Sequence, residues 1–132
     1  MNDKSIESTD PGQHGNLQTA LQHAATLLQR NPKLAQRQAL EILEVHPHLE
    51  PARRILGVAY RLQGQPHKGL TLLEPLASSY ASSAGFMHEL GLCLGAAGRG
   101  KEAIECLRKA VHLDPRHAGA WRTLGDQLSA AG

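Results

Sequence analysis

The sequence predicts an all-α protein of stacked helical hairpins, and three observations carry that prediction. The pair Leu-Gly recurs at one period, as Leu56-Gly57, Leu90-Gly91 and Leu124-Gly125, each 34 residues from the last. Between these pairs the apolar residues fall at i, i+3, i+4 and i+7, the spacing of a helix with one buried face. The chain of 132 residues holds only four aromatics, Tyr60, Tyr80, Phe86 and Trp121. Its core must therefore be filled by Leu, Ala, Ile and Val, which suits close-packed helices better than a sheet. The length is about that of one domain.

Taken in order, residues 1–15 are polar, carry Pro11, Gly12 and Gly15, and lack periodicity, the pattern of a disordered leader. From Asn16 onward Leu17, Ala20, Leu21, Ala24, Leu27 and Leu28 form one apolar stripe, so a first helix is expected to end near Arg30. Asn31-Pro32 is a helix start: Asn accepts from the free amides of the new helix, and Pro in the first turn loses no hydrogen bond. The second helix runs to about His46, where Pro47 disfavours a helical conformation in the residue before it. The scheme then repeats. Pro51 to Leu62 is a helix, Gly64 a break, Pro66 a first-turn proline, and Lys68 to Tyr80 the return helix, with Ser78, Ser79, Ser82 and Ser83 around its end. Ala84 to Ala97 follows, then a turn at Gly98 and Gly100, then Lys101 to Leu113 closed by Asp114-Pro115, and a last helix from Ala118 to Ala130.

Three segments share the spacing of one repeat: Arg53-x2-Leu56-Gly57-x2-Tyr60, Met87-x2-Leu90-Gly91-x2-Leu94 and Trp121-x2-Leu124-Gly125-x2-Leu128. The return helices read Ala35-x3-Ala39 to Pro47, Gly69-x3-Leu73 to Ala81, and Ala103-x3-Leu107 to Pro115. With these residues the chain resembles the tetratricopeptide repeat family over residues 16–132. The resemblance implies a right-handed α-solenoid of about three hairpins plus one extra helix, in units 16–49, 50–83, 84–117 and a half unit 118–132. The first unit departs from the pattern, with His23 where Gly is expected. Gly57 and Gly91, lacking side chains, are expected to let the first helix of a hairpin approach the second at Gly69 and Ala103.

Several chemistries are set aside. Fourteen basic and twelve acidic side chains leave a formal charge of +2, without the concentrated basic face that phosphate contacts need, so no nucleic-acid partner is expected. No apolar run suits a signal peptide or a membrane span, which makes a cytoplasmic chain without membrane contact the default. Gly95 to Lys101, GAAGRGK, satisfies part of a phosphate-binding loop, but a helix precedes it and Glu102 stands where Ser or Thr would hold magnesium. Eight histidines invite a metal reading, above all His46 with His48 and His112 with His117. In register all four fall at the ends of return helices, where histidine suits the free carbonyls and the helix dipole, and His88-Glu89 has no second His for an HExxH motif. Cys93 and Cys106 are not a CxxC pair, and two buried, reduced thiols are expected, with Cys93 a small core filler. Neither catalytic residues nor a cofactor or metal site is expected, so the 132 residues are not expected to be an enzyme.

What remains is the surface of the first helix of each hairpin, which the resemblance implies as the inner, concave wall. It selects Arg54, Val58, Arg61 and Leu62, then His88, Glu89 and Leu92, then Arg122, Thr123 and Asp126. Such a mixed wall with three arginines suits carboxylates or an acidic peptide, and the expected activity is that of a scaffold binding a protein or peptide. Chaperone-binding members of the family carry a carboxylate clamp with asparagines; the corresponding ninth positions here are Ala24, Val58, Leu92 and Asp126, so the clamp is missing. The stretch from Glu89 to Gly132 also resembles the N-terminal repeats of bacterial tetratricopeptide proteins that carry a sulfotransferase domain farther on. That implies, as the alternative, a non-catalytic arm of a larger enzyme used for substrate presentation or assembly. Finally, Trp121, Leu124 and Leu128 of the last helix are expected to present an apolar face through which the chain forms a homodimer.

Overall fold

The computed structural model describes residues 13–132, and over that span the protein is seven α-helices with one 3-10 turn and no strand among the described residues. The expected all-α, α-solenoid class is the one observed. The leader expected over residues 1–15 lies mostly outside the described residues; the first helix starts at Gln13, ahead of the expected Asn16. The chain divides into two compact units between Gly64 and Gln65.

The first unit holds α1 (Gln13–Arg30), α2 (Pro32–Val45) and α3 (Glu50–Leu62). The start signal works as expected: Asn31 Oδ1 accepts from the Leu34 amide at 3.1 Å, and Pro32 opens α2. Helix α2 packs on both α1 and α3. Its inward positions Ala35 and Ala39 are fully buried, as are Ala24 of α1 and Ala52 and Ala59 of α3, and such small side chains let helix axes come close. Ile42, wholly buried, joins Ala20 and Ala52 in a cluster that Leu17, Leu21, Leu43 and Leu49 surround. At the far end Gln63 Nε2 donates to Gln36 Oε1 at 2.7 Å, tying α3 to α2.

The second unit holds α4 (Pro66–Leu73), α5 (Ala84–Ala96), α6 (Gly100–Leu113) and α7 (Ala118–Ala131). The return helix expected over Lys68 to Tyr80 stops early. Helix α4 ends at Leu73 and Glu74–Leu76 is a 3-10 turn, because Pro75 has no amide to offer the carbonyl one turn back and its ring crowds that position. Leu76 still turns inward to the core, and Tyr80 stacks on Phe86 with ring centroids 5.0 Å apart. Ser83 then caps α5, its hydroxyl oxygen accepting from the Phe86 amide at 3.1 Å. Phe86, Leu73, Leu107 and Cys93 are the largest fully buried side chains of this unit. Helices α5 and α6 form its most extensive contact, and α6 in turn packs on α7.

The close contact between α5 and α6 differs in one partner from the expected one. Ala103 is buried, but a Cβ built on Gly91 would lie 2.7 Å from Leu107 Cγ and 2.9 Å from its Cδ2. Leu107, one turn beyond Ala103, is thus the side chain that lies on the glycine.

Candidate functional site

The turn between α5 and α6 decides the phosphate-loop question. Gly98 has φ +84°. Its amide donates to Gly95 O at 3.1 Å, and the Arg99 amide donates to Leu94 O at 2.8 Å, the paired bonds of a Schellman helix ending. A phosphate cradle needs amides pointing outward; these point back into the helix. Arg99 is flanked by carboxylates, with Nε and Nη2 on Glu102 at 2.7 Å and Nη2 on Glu74 at 2.8 Å. Bonding to Glu102, then to Glu74, raises the Arg99 pKa, and the Arg99 bond lowers that of Glu102. The group clamps the start of α6 to the end of α4.

The two thiols are both free. Cys93 is 0% exposed and its Sγ donates to Pro66 O at 3.2 Å, as befits a core filler. Cys106 is half-buried rather than buried, and burial pushes its thiol above the ordinary value. A raised thiol pKa is the opposite of nucleophile activation.

The histidines separate into different roles. His46 ends α2, with its amide bonded to Ile42 O, and His112 lies in the last turn of α6; both fit the expected helix-end role. His48 sits in the turn between α2 and α3. His117 corrects the expectation: it caps the start of α7, where its Nδ1 accepts from the Ala120 amide at 3.1 Å. Among the described residues no three His, Cys, Asp or Glu side chains gather as a metal site would require.

The residues expected on the concave wall fall into two sets. In the first unit, Arg54 and Arg61 are half-buried and two turns apart on one face of α3, with Leu62 exposed beside them. Val58 is only 5% exposed and belongs to the core, so it is withdrawn from the wall.

In the second unit, His88, Glu89 and Leu92 of α5 are half-buried, Thr123 of α7 is half-buried, and Arg122 and Asp126 of α7 are exposed. Arg54, Arg61, His88 and Glu89 each make an interaction within the protein. The structure brings His88 and Thr123 together. His88 Nε2 lies 3.0 Å from Thr123 Oγ1, and that hydroxyl donates to Gly119 O at 2.9 Å. A hydroxyl whose proton lies on the Gly119 carbonyl turns its lone pairs to His88, an arrangement that suits the tautomer protonated at Nε2. A base activating a hydroxyl needs the reverse polarity, so the pair is a strut between α5 and α7.

His117 completes the strut, its ring edge-on to His88 with centroids 4.9 Å apart. Gly119 makes room for it: a Cβ there would lie 3.1 Å from His88 Cε1. Sequence reasoning missed this cluster; the signal was Gly119, two residues after a histidine in the first turn of a helix. It also missed Gln127, whose side chain lies over Gly95, where a Cβ would be 2.4 Å from Nε2.

The self-association residues are likewise divided. Leu124 is 5% exposed and packs into the core of its own unit, so it leaves the expected docking face; Trp121 at 50% and Leu128 at 41% remain on it.

Helical hairpins in series, with small residues at the crossings and a polar remainder on the first helix of each pair, make an α-solenoid fold of the tetratricopeptide type. Among solved structures the chain is similar to "Crystal structure of MamA", at TM-score 0.76 and 22% identity, covering 98% of this chain and 74% of that one. It is equally similar to "MamA RS-1 ArsTM double mutant", at TM-score 0.76 and 21% identity, covering 91% of this chain and 69% of that one. "MamA D159K mutant 1" follows at TM-score 0.71 and 19% identity. At these identities the likeness is one of fold. No family model and no curated protein matches the sequence.

Proposed function

We propose that this chain is a protein-interaction scaffold in which each unit by itself binds an acidic peptide segment of a partner protein, the first through the outward positions of α3 and the second through those of α5 and α7. The observation behind this reading is a division of labour on those helices. The residues the repeat dictates, Leu56, Gly57, Leu90, Gly91 and Leu124, are buried, whereas Arg54, Arg61, His88, Glu89, Leu92, Arg122 and Asp126 keep accessible surface. Arginine is the side chain best suited to paired contacts with carboxylates. No helix among the described residues is long and apolar enough to cross a membrane, so these faces are read against a protein partner. The alternative reading, an arm of a sulfotransferase-type enzyme, draws no support from the MamA likeness.

The test is fluorescence anisotropy with labelled peptides rich in Asp and Glu against Lys-rich controls. Binding is expected for the acidic set and should weaken with salt. Arg54→Glu and Arg61→Glu together should reduce affinity about tenfold or more, since like charges across an interface repel. Acidic peptides that bind no better than basic ones would reject the reading.

A further inference from the structure

We propose that the solvent face of α7 pairs with the same face of a second copy of this chain, the two helices lying antiparallel about a two-fold axis near Gly125. Trp121, Gly125 and Leu128 are spaced i, i+4, i+7 and form one stripe, with exposed Arg122 and Asp126 on the side beyond Gly125 and buried Leu124 and Ala120 on the opposite side. One repeat earlier the same stripe is Met87, Gly91 and Leu94. There it is buried, with Leu107 lying on the glycine. On α7 a Cβ added to Gly125 would meet nothing within 4 Å, and Trp121 and Leu128 stand in solvent. Trp121 is also fixed in place, its Nε1 donating to Pro115 O at 2.7 Å. A held aromatic ring has little freedom left to lose on binding.

Charge selects the occupant. Two α7 helices running antiparallel about a point between Leu124 and Gly125 bring Trp121 opposite Leu128 of the second copy. Arg122 then comes level with Gln127 of the second copy and one residue, about 1.5 Å along the axis, from its Asp126, within the reach of an arginine, and each contact is made twice by symmetry. Gly125 lies at the crossing, where absence of a side chain permits close approach. A parallel pairing would set the side bearing Arg122 and Asp126 against the Trp121 and Leu128 side of the second copy, leaving both charges without an opposite partner. The contact is one short helix per partner, so a weak, concentration-dependent dimer is the expected product.

This inference deepens the scaffold reading by naming one protein partner, and it shares Arg122 and Asp126 with that reading. Sedimentation velocity of the whole chain from micromolar to millimolar concentration should show a monomer–dimer equilibrium. Trp121 is the only tryptophan, so its emission should shift to the blue over the same range. Arg122→Asp should weaken dimerisation about tenfold by opposing like charges, and Arg122→Asp with Asp126→Arg should restore it. A monomer at every concentration, or a double reversal no better than the single one, overturns the proposal. The arginine variants of α3 separate the two readings: Arg54→Glu with Arg61→Glu should lose acidic-peptide binding and keep the dimer.

Discussion

Adding one methyl group at three glycines of the second unit should give three different results, and the order follows from distances. In a helix, Gly→Ala by itself stabilises by about 1 kcal/mol, through backbone entropy and removal of an exposed peptide edge. At Gly125 nothing lies within 4 Å of the new Cβ, so Gly125→Ala should realise most of that gain. At Gly95 the Cβ would lie 2.4 Å from Gln127 Nε2. That is the end of a flexible, partly exposed side chain that can swing aside, so the propensity gain is offset by the displaced packing and the net should be close to zero. At Gly91 the Cβ would lie 2.7 Å and 2.9 Å from Cγ and Cδ2 of Leu107, a side chain with 0% exposure. Leu107 cannot retreat without moving α6. Overpacking of this kind costs ~1–3 kcal/mol, so against the propensity gain Gly91→Ala should be destabilised by ~0–2 kcal/mol, and Gly91→Leu by more.

Thermal denaturation followed by circular dichroism ranks the three variants. At roughly 4 °C per kcal/mol for a domain of this size, Gly125→Ala should melt a few degrees above the parent and Gly91→Ala below it. Leu107→Ala alone should destabilise by ~2–5 kcal/mol, and Gly91→Ala in that background should cost less than in the parent, because the two residues are in contact. A Gly91→Ala protein that melts above Gly125→Ala would refute the packing scheme, since the close approach of α5 and α6 at Leu107 is what sets the two sites apart.

Two further outcomes are expected from the titrating groups. Glu102 is held below its ordinary value of 4.5 by the bond from Arg99, so the folded state binds that proton less readily than the unfolded chain. Its stabilising contribution is fully present above the ordinary carboxylate value and is lost as pH falls through the lower folded value; in acid melts, Glu102→Gln should therefore lose less stability on acidification than the parent. Cys106 is pushed above 9.0 by burial, so its alkylation by iodoacetamide at neutral pH should be slower than that of a model thiol and should keep rising past pH 9. Cys93 should react only on unfolding, and modification of the native protein at Cys93 would contradict its burial.

The helices were legible because their signals are local. Asn31-Pro32, Gly64-x-Pro66, Gly98 and Asp114-Pro115 act on the few residues beside them, and each marks the boundary its chemistry demands. Where a second rule competed, the repeat pattern misled. Pro75 breaks the fourth helix although the spacing of Gly69, Leu73 and Ala81 continues through it, because a missing amide outranks a periodicity. Burial at a helix flank was less legible still. Val58 and Leu124 occupy register positions adjoining the exposed face, and only the packing of neighbouring helices shows that both turn inward. The His88–Thr123–His117 group could not be read at all, since its members are up to 35 residues apart in sequence and meet only when α7 is laid beside α5.

That last group bears on which residues of the second unit are free to act. His88 was one of three candidates for ligand contact on α5, with Glu89 and Leu92, yet it bonds to Thr123, rests against His117 and depends on Gly119 for space. Removing it should disturb how α7 is held before it disturbs any partner. The same strut fixes the first turns of α7, and with them the direction in which Trp121 and Arg122 project. A stiff α7 presents its outer stripe in one orientation, which lowers the entropy lost on pairing. The polar residues of α5 and the apolar stripe of α7 are thus linked in series: His88, Thr123 and His117 position the helix, and Trp121, Arg122, Asp126 and Leu128 meet what it binds. On this account His88→Ala should weaken α7 self-pairing without touching the paired surface. His88→Gln, which keeps a donor for Thr123 Oγ1, should restore much of it.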